Sequence, residues 1–287
     1  MSGIRDFLSF VLTVSRFRFW IYTGGTYVVG YALGMESIDA FYELPYYIYL
    51  IYFFFLANVF IYGVNDLMDE ETDALNPKKA DKEALLMDSD RGRLILALAG
   101  VGAISAVLML TQTMTEAAVF LVFLFLSFFY SAPPLRFKRV PVLDFSSNML
   151  YVMPGVFGYL LASGALPPMA LLVAGFCHIA AMHLFSAIPD IEYDRAAGIT
   201  TSAVLFGRRA SLAICLVFWS GLAFLAVHLS GAHPLSFLAL VYPAVPLSLL
   251  LRQELEIERV YWYLPYINTS LGGLLFLALT ISKSPLV

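Results

Sequence analysis

Nine apolar stretches separated by short polar segments organise this chain, beginning around Phe17, Tyr46, Arg93, Glu116, Ser146, Pro168, Ala210, Pro234 and Tyr261. Each runs for roughly 20 residues, the length of helix that crosses the hydrocarbon core of a bilayer. The pattern predicts nine transmembrane helices and an all-α integral membrane protein. Composition agrees: hydrophobic residues make up 60% and charged residues 13% of 287 positions, with a mean hydropathy of +0.80, a profile that a soluble domain of this length rarely shows. No low-complexity linker breaks the alternation, so residues 1–287 are expected to form a single domain.

Charge then orients the chain. With nine spans, the N-terminus and the segments after spans 2, 4, 6 and 8 share one side, and they hold 16 of the 17 Lys and Arg residues, all but Lys283. The opposite segments, around Glu36 to Pro45, Gln112 to Thr115, Gly164 to Pro167 and Gly231 to Pro234, hold none. Basic residues accumulate on the cytoplasmic side of membrane proteins, so the N-terminus and the basic segments are expected in the cytoplasm, with the protein in the cell membrane. Charged residues run through Arg18 and the following stretch is span length, so the first span is expected to be retained rather than cleaved as a signal. Cys177 and Cys215 fall inside predicted spans as small packing residues, with no pairing that suggests zinc or redox chemistry. Membrane lipid is the expected environment, and no nucleic-acid partner is expected.

Two acidic clusters sit on the basic side, each directly after a long apolar run: Asn65-Asp66-x-x-Asp69-x-x-x-Asp73 and Asp190-x-Glu192-x-Asp194. At about 100° per residue, Asp66 and Asp73 lie about 20° apart around a helix and Asp69 about 60° from Asp66, so these residues and Asn65 share a face. Asp190 and Asp194 lie about 40° apart, whereas Glu192 points nearly the opposite way. Carboxylates at a helix end can simply be solvated loop starts. Helical phase, repetition at the ends of spans 2 and 6, and abundant bases in the adjoining segments favour a site instead. The repetition also suggests a duplicated helical unit. Two carboxylate ridges need cations between them, and dense oxygen donors suit Mg²⁺ bridging to substrate phosphates. Asp66, Asp69, Asp190 and Asp194 are therefore the expected catalytic centre of a magnesium diphosphate site.

The bases supply its other half. Lys78 and Lys79 follow span 2, and Tyr130-Ser131 with Arg136, Lys138 and Arg139 follows span 4. Any one of these cations can anchor a helix to lipid headgroups; together with Tyr130 they read better as diphosphate ligands, chiefly Lys78, Lys79, Tyr130, Lys138 and Arg139. Arg16 and Arg18 either reach the same cavity or snorkel. Inside the spans, Asn58 lies seven residues before Asn65 and His183 seven before Asp190, each on the motif's face but about 10 Å deeper. Both are candidates for the acceptor cavity, the alternative being a bond to a neighbouring helix. Most of the 24 Phe, 17 Tyr and 3 Trp are expected to pack or mark interfaces, with some lining a dry cavity able to stabilise a carbocation.

The paired motifs in this order, over nine helices, resemble the UbiA superfamily of intramembrane prenyltransferases across essentially the whole chain. The resemblance implies a helical bundle around a central cavity and two Mg²⁺ ions held by Asn65, Asp66, Asp69, Asp73, Asp190 and Asp194. It implies transfer of an allylic prenyl group from its diphosphate donor to an apolar isoprenoid acceptor. Tyr130 and Lys138 resemble the family's Tyr and Lys after helix 4, although the common spacing is shorter and position 134 is Pro, and Arg16-Phe17 replaces a frequent Arg-Pro. The strings Ala57 to Asp66, Leu75 to Lys79 and Ile188 to Gly198 look like the lycopene elongase branch, which implies a C5 donor, dimethylallyl diphosphate, and lycopene or a related carotene as acceptor. The alternatives are an aromatic or quinone precursor, a glycerol lipid, or, in another class, a secondary transporter. A transporter would carry its ionisable residues nearer the bilayer midplane.

Overall fold

The structure, a computed structural model, describes residues 2–73, 90–252 and 254–284, with backbone only for residues 2 and 70–73. Ten helices follow one another in this part of the chain. Helix α1 is Ser2–Val14 and α2 runs through the pieces Phe17–Phe19, Ile21–Gly25 and Thr26–Gly34. Helix α3 joins Leu44–Ile51, Tyr52–Leu56 and Ala57–Asp73; α4 is Arg91–Met109 and α5 is Met114–Ser131. Helix α6 comprises Leu143–Ser146, Ser147–Tyr151 and Met153–Ser163, and α7 comprises Met169–Ala187, Ile188–Asp190 and Ile191–Ala196. Helix α8 is Ser202–Leu229, α9 joins Pro234–Leu240 to Val241–Leu251, and α10 is Ile257–Ser282.

Among the described residues, seven of these helices (α3, α4, α5, α7, α8, α9 and α10) are long and apolar enough to cross a membrane, and the chain is an integral membrane protein. The stretches from Phe17 and from Ser146 form helices α2 and α6, which are built from short pieces. Pro154, which has no N–H to donate, opens the last piece of α6, and five residues of 3₁₀ helix precede it. Helix α1 was not expected from the span pattern. It is too short to cross, and Phe10, Val11 and Val14 pack on Val59 and Leu94 while Ile4 and Leu8 face outward.

The breaks are paired, because freed backbone groups in a membrane interior need partners. In α3 the Ala57 N–H bonds back to Tyr52 O in a π turn. Asn58 then donates its Nδ2 to Phe53 O at 3.2 Å, Phe54 O at 2.9 Å and Thr23 Oγ1 at 2.7 Å, while Thr23 Oγ1 donates to Phe53 O at 2.7 Å. Thr23 lies in the π turn of α2, whose Gly24 faces the Phe54 ring so closely that a Cβ there would come within 2.1 Å of it. Beside the break in α6, Tyr151 O accepts from Thr26 Oγ1 at 2.9 Å.

Small residues bring α2 and α6 into backbone contact. A Cβ on Gly30 would lie 2.0 Å from Gly155 O, one on Gly34 2.5 Å from Tyr159 O, and one on Gly158 2.5 Å from Tyr27 O. Glycines spaced by four on one helix let backbones approach where lipid offers no hydrophobic drive for association. Helix α10 runs parallel to α2 and touches it at both ends: the Arg18 guanidinium lies 4.3 Å from the Trp262 ring centroid, and Lys283 Nζ donates to Ala32 O, Leu33 O and Met35 O at 2.9, 3.1 and 2.6 Å. The one basic residue outside the basic side thus caps the C-terminal carbonyls of α2, although burial there pulls its ammonium below the usual lysine range.

Besides the small cluster of α1, α3 and α4, the apolar interior has two larger ones. One cluster joins α2, α3, α5 and α6 around Tyr27, Phe53, Phe120 and Phe157; another joins the start of α6 to α7, α8, α9 and α10 around Phe145, Phe185, Trp219 and Leu264. The polar residues of the two acidic motifs lie at the ends of α3 and α7, one helix from each half.

Candidate active site

Ala57–Asp73 continues as unbroken α-helix through the first motif, so Asn65, Asp66 and Asp69 emerge on one face as their spacing requires. That face is turned toward the chain's own cations. Arg16 Nη2 meets Asp66 Oδ1 at 2.6 Å, with side chains only 18% and 14% exposed. Lys138 Nζ forms a short ion pair with Asp69 Oδ2 and donates to Asn65 Oδ1 at 2.9 Å, where Ser131 Oγ also donates at 2.9 Å. Asp73 belongs to the same helix, though its side chain, like Lys78 and Lys79, lies outside the described residues.

Both cations are delivered by strained turns. Arg16 (φ 50°) and Arg136 (φ 43°) occupy the left-handed region, uncommon for residues other than glycine, and each opens a single 3₁₀ turn: Phe17–Phe19 and Phe137–Arg139. The first turn holds Arg16 between Asp66 and the face of Tyr62, 4.8 Å from the ring centroid. The second carries Lys138 onto Asn65 and Asp69. Arg136 anchors that turn by donating Nε to Ser131 O at 3.2 Å and Nη2 to Met68 O at 2.9 Å. The sequence favoured Arg139 over Arg136. Among the described residues Arg139 makes no side-chain hydrogen bond or ion pair and is half-buried at the end of the turn.

The second motif starts at a break, because Pro189 interrupts α7 and Asp190 sits where the 3₁₀ turn Ile188–Asp190 passes into Ile191–Ala196. Asp190 and Asp194 are half-buried and Glu192 is exposed, the split that helical phase predicts. Asp194 Oδ2 accepts from Thr201 Oγ1 at 3.4 Å, and Thr201 caps α8. Capped by Thr201, α8 begins at Ser202, ahead of the apolar stretch near Ala210, and Gly207 (φ 75°) kinks it after little more than one turn.

Helix α5 bridges the two motif helices through adjacent residues. Ser131 bonds Asn65, and Tyr130 Oη lies 3.4 Å from His183 Nε2 on α7, with the rings edge to face at 6.0 Å. His183 therefore faces this polar interior. Asn58 does not: it is fully buried, and its amide joins α2 to α3 as the helix-bonding alternative required. Two further tyrosines were not singled out by the sequence, Tyr62 and Tyr151, whose hydroxyls lie 3.4 Å apart beside Arg16. Also missed was Asp144, 1% exposed, which accepts from Ser202 N and Ser202 Oγ at 2.6 Å each and from Phe145 N at 2.9 Å. An acidic residue at the basic-side start of an apolar stretch was its only signal.

The donor set fits a hard divalent ion in kind: an amide and carboxylate oxygens, half-buried, on helices that end at one side of the bundle. Among the described residues no three His, Cys, Asp or Glu side chains gather closely enough to hold one ion. Instead Arg16 pairs with Asp66 and Lys138 with Asp69. Each poorly solvated carboxylate thus lies beside a positive charge that offsets the cost of its burial.

The UbiA prenyltransferase family model matches residues 23–259. A lycopene elongase/hydratase of Haloferax volcanii is 41% identical over 281 residues, covering 96% of this chain and 90% of the relative. Another lycopene elongase/hydratase, from Halobacterium salinarum, is 38% identical over 265 residues, 92% of this chain and 94% of the relative. Among solved structures, a UbiA homolog from Archaeoglobus fulgidus bound to DMAPP and Mg²⁺ superposes with a TM-score of 0.69 at 22% identity, over 94% of this chain and 99% of that one, which shows a shared fold. With the family model spanning the helices that carry Asp66, Asp69, Asp190 and Asp194, the chain belongs to the UbiA prenyltransferase family.

Proposed function

We propose that this enzyme transfers a C5 prenyl group from dimethylallyl diphosphate to the end of lycopene or a related carotene. The observation that carries the reading is the pairing of Asp66 with Arg16 and of Asp69 with Lys138 at the motif face, next to Tyr130 and His183. A donor diphosphate and its counter-ions bring both signs of charge to that face, so each pair can open without leaving a buried charge unpartnered. Asn65, Asp66, Asp69 and Asp73 on α3 and Asp190 and Asp194 on α7 would hold Mg²⁺, and two ions accord with two motifs. When bound, Mg²⁺ supplies Lewis-acid neutralisation of the departing diphosphate. Lys138 and Arg16, with Lys78 and Lys79 as the sequence suggests, would neutralise what remains of its charge, and Arg136 holds Lys138 in register. Tyr62, Tyr130 and Tyr151 would offer aromatic surface to an allylic cation formed beside them.

The acceptor assignment draws on the similarity to curated lycopene elongase/hydratases over nearly the full chain, and the donor on the DMAPP-bound structural relative. A polyene has only apolar surface to offer and would enter from lipid between helices. On this reading α2 and α6 also cross the bilayer, making nine spans around a central cavity. The half-buried Tyr22, Tyr62, Tyr130, Tyr151 and His183, interior residues that keep accessible surface, support such a cavity. The gathering of Arg16, Asp66, Lys138 and Asp194 near one set of helix ends, where basic residues abound, supports a cytoplasmic opening. Membranes containing the protein are expected to convert lycopene plus dimethylallyl diphosphate to C45 and C50 products and to leave 4-hydroxybenzoate unprenylated, with Asp69→Ala inactive. Prenylation of the benzoate with lycopene untouched would overturn the acceptor while preserving the donor site.

A further inference from the structure

Adding a C5 cation to the terminal double bond of a polyene moves the positive charge onto a tertiary carbon. That charge disappears when the neighbouring carbon loses a proton or when water attaches, and either exit releases one proton. Few groups inside an apolar bundle can receive it. His183 is half-buried in α7, with Nε2 3.4 Å from Tyr130 Oη. Tyr130 precedes Ser131, which bonds Asn65 of the first motif, so the pair lies immediately beneath the face proposed to hold the diphosphate. The other histidine of this helix, His178, packs its ring edge on Tyr242 at 4.8 Å instead.

The surroundings favour this pair over the nearest carboxylate. The buried Asp144 carboxylate is already committed, its two oxygens accepting from Ser202 and Phe145. Asn148, whose amide donates to Asp144 O at 2.5 Å, braces the start of α6 beside it. Arg16, the nearest cation to Tyr62 and Tyr151, is paired with Asp66.

We propose that Tyr130 and His183 form the proton-accepting pair that ends the reaction by elimination, an assignment that rests on the carotene-acceptor reading. The C–H bond beside the tertiary cation breaks and its electrons close a new double bond. The proton passes to Tyr130 Oη as the phenol's own proton passes to His183 Nε2. The result is an alkene, a neutral tyrosine and an imidazolium, which returns its proton to solvent before the next turnover. No additional reactant is consumed.

The test compares full-length wild type, His183→Phe and Tyr130→Phe in lipid membranes supplied with Mg²⁺, lycopene and dimethylallyl diphosphate. Products are separated and weighed, so that eliminated alkenes are distinguished from alcohols heavier by one water, and diphosphate release is followed in parallel. Both variants are expected to lower the alkene-to-alcohol ratio at least about tenfold, a modest share of the ~10²–10⁴ that a positioned proton acceptor contributes. A ratio unchanged in either variant overturns the inference, whatever the total turnover. So does loss of diphosphate release together with all products in His183→Phe, because a terminal proton acceptor acts only after the donor has ionised. Wild type that makes no C45 or C50 product strikes the carotene reading itself, a result distinct from either.

Discussion

Asp144 offers the sharpest test of how the second motif is held. Its carboxylate is 1% exposed and receives Ser202 N at 2.6 Å, Ser202 Oγ at 2.6 Å and Phe145 N at 2.9 Å. Ser202 follows Thr201, the residue that caps α8 and donates to Asp194. Asp144→Ala leaves two backbone N–H groups buried without acceptors, and each such orphan costs about 1–3 kcal/mol, so the sum is about 2–6 kcal/mol. Against the ~5–15 kcal/mol that separates most folded states from unfolded ones, this is a large fraction. Asp144→Asn keeps one acceptor oxygen but turns an amide N–H₂ toward a donor, which orphans one group and costs about 1–3 kcal/mol. At about 2–4 °C per kcal/mol for a chain of this size, the alanine variant should melt at least about 4 °C below wild type, with the asparagine variant between them. Thermal melts followed by size exclusion of detergent-solubilised protein read the order directly. Because the same bonds set the position of Thr201, turnover should fall in the same order, whereas Glu192→Ala, on an exposed side chain, should leave both readings near wild type. An Asp144→Ala protein melting within about 1 °C of wild type would refute the reasoning, since a buried orphan pair cannot cost so little.

Three further outcomes are expected. Asp66→Ala, Asp69→Ala, Asp190→Ala and Asp194→Ala should each abolish turnover while the protein stays in the membrane, and removing divalent ions with EDTA should silence the wild type; activity that survives chelation contradicts a metal-held diphosphate. In a background lacking Cys177 and Cys215, Arg195→Cys should resist an impermeant thiol reagent in intact cells and Ala165→Cys should react, both positions being exposed at opposite ends of the bundle; the reverse labelling inverts the topology. Gly30→Ala puts a Cβ 2.0 Å from Gly155 O, a backbone atom that cannot swing aside, so at least about 1–3 kcal/mol of stability should be lost on melting, whereas Gly102→Ala, with open space at its Cβ, should be neutral or slightly stabilising; equal melts would deny the close α2–α6 contact.

Much of this enzyme was legible along the chain because a bilayer imposes simple rules. Hydrocarbon thickness sets the length of an apolar stretch, so the spans α3, α4, α5 and α7 to α10 were visible as patterns. Helical phase alone placed Asn65, Asp66 and Asp69 on one face and set Glu192 apart from Asp190 and Asp194. What the pattern could not supply were contacts between residues far apart in sequence. Arg16 was indistinguishable from a headgroup anchor until folding brought it 2.6 Å from Asp66, 50 positions away. Arg136 and Arg139 carry the same charge in sequence, and only the left-handed turn decides that Arg136 braces the site and delivers Lys138. Asn58 and His183 stand in the same relation to their motifs, yet the π turn in α3 draws Asn58 into repairing freed carbonyls while His183 is left facing Tyr130. Sequence determined the spans and the motif faces because both follow from local periodicity; tertiary structure decided which polar groups meet, because burial forces each one to find a partner wherever the fold provides it.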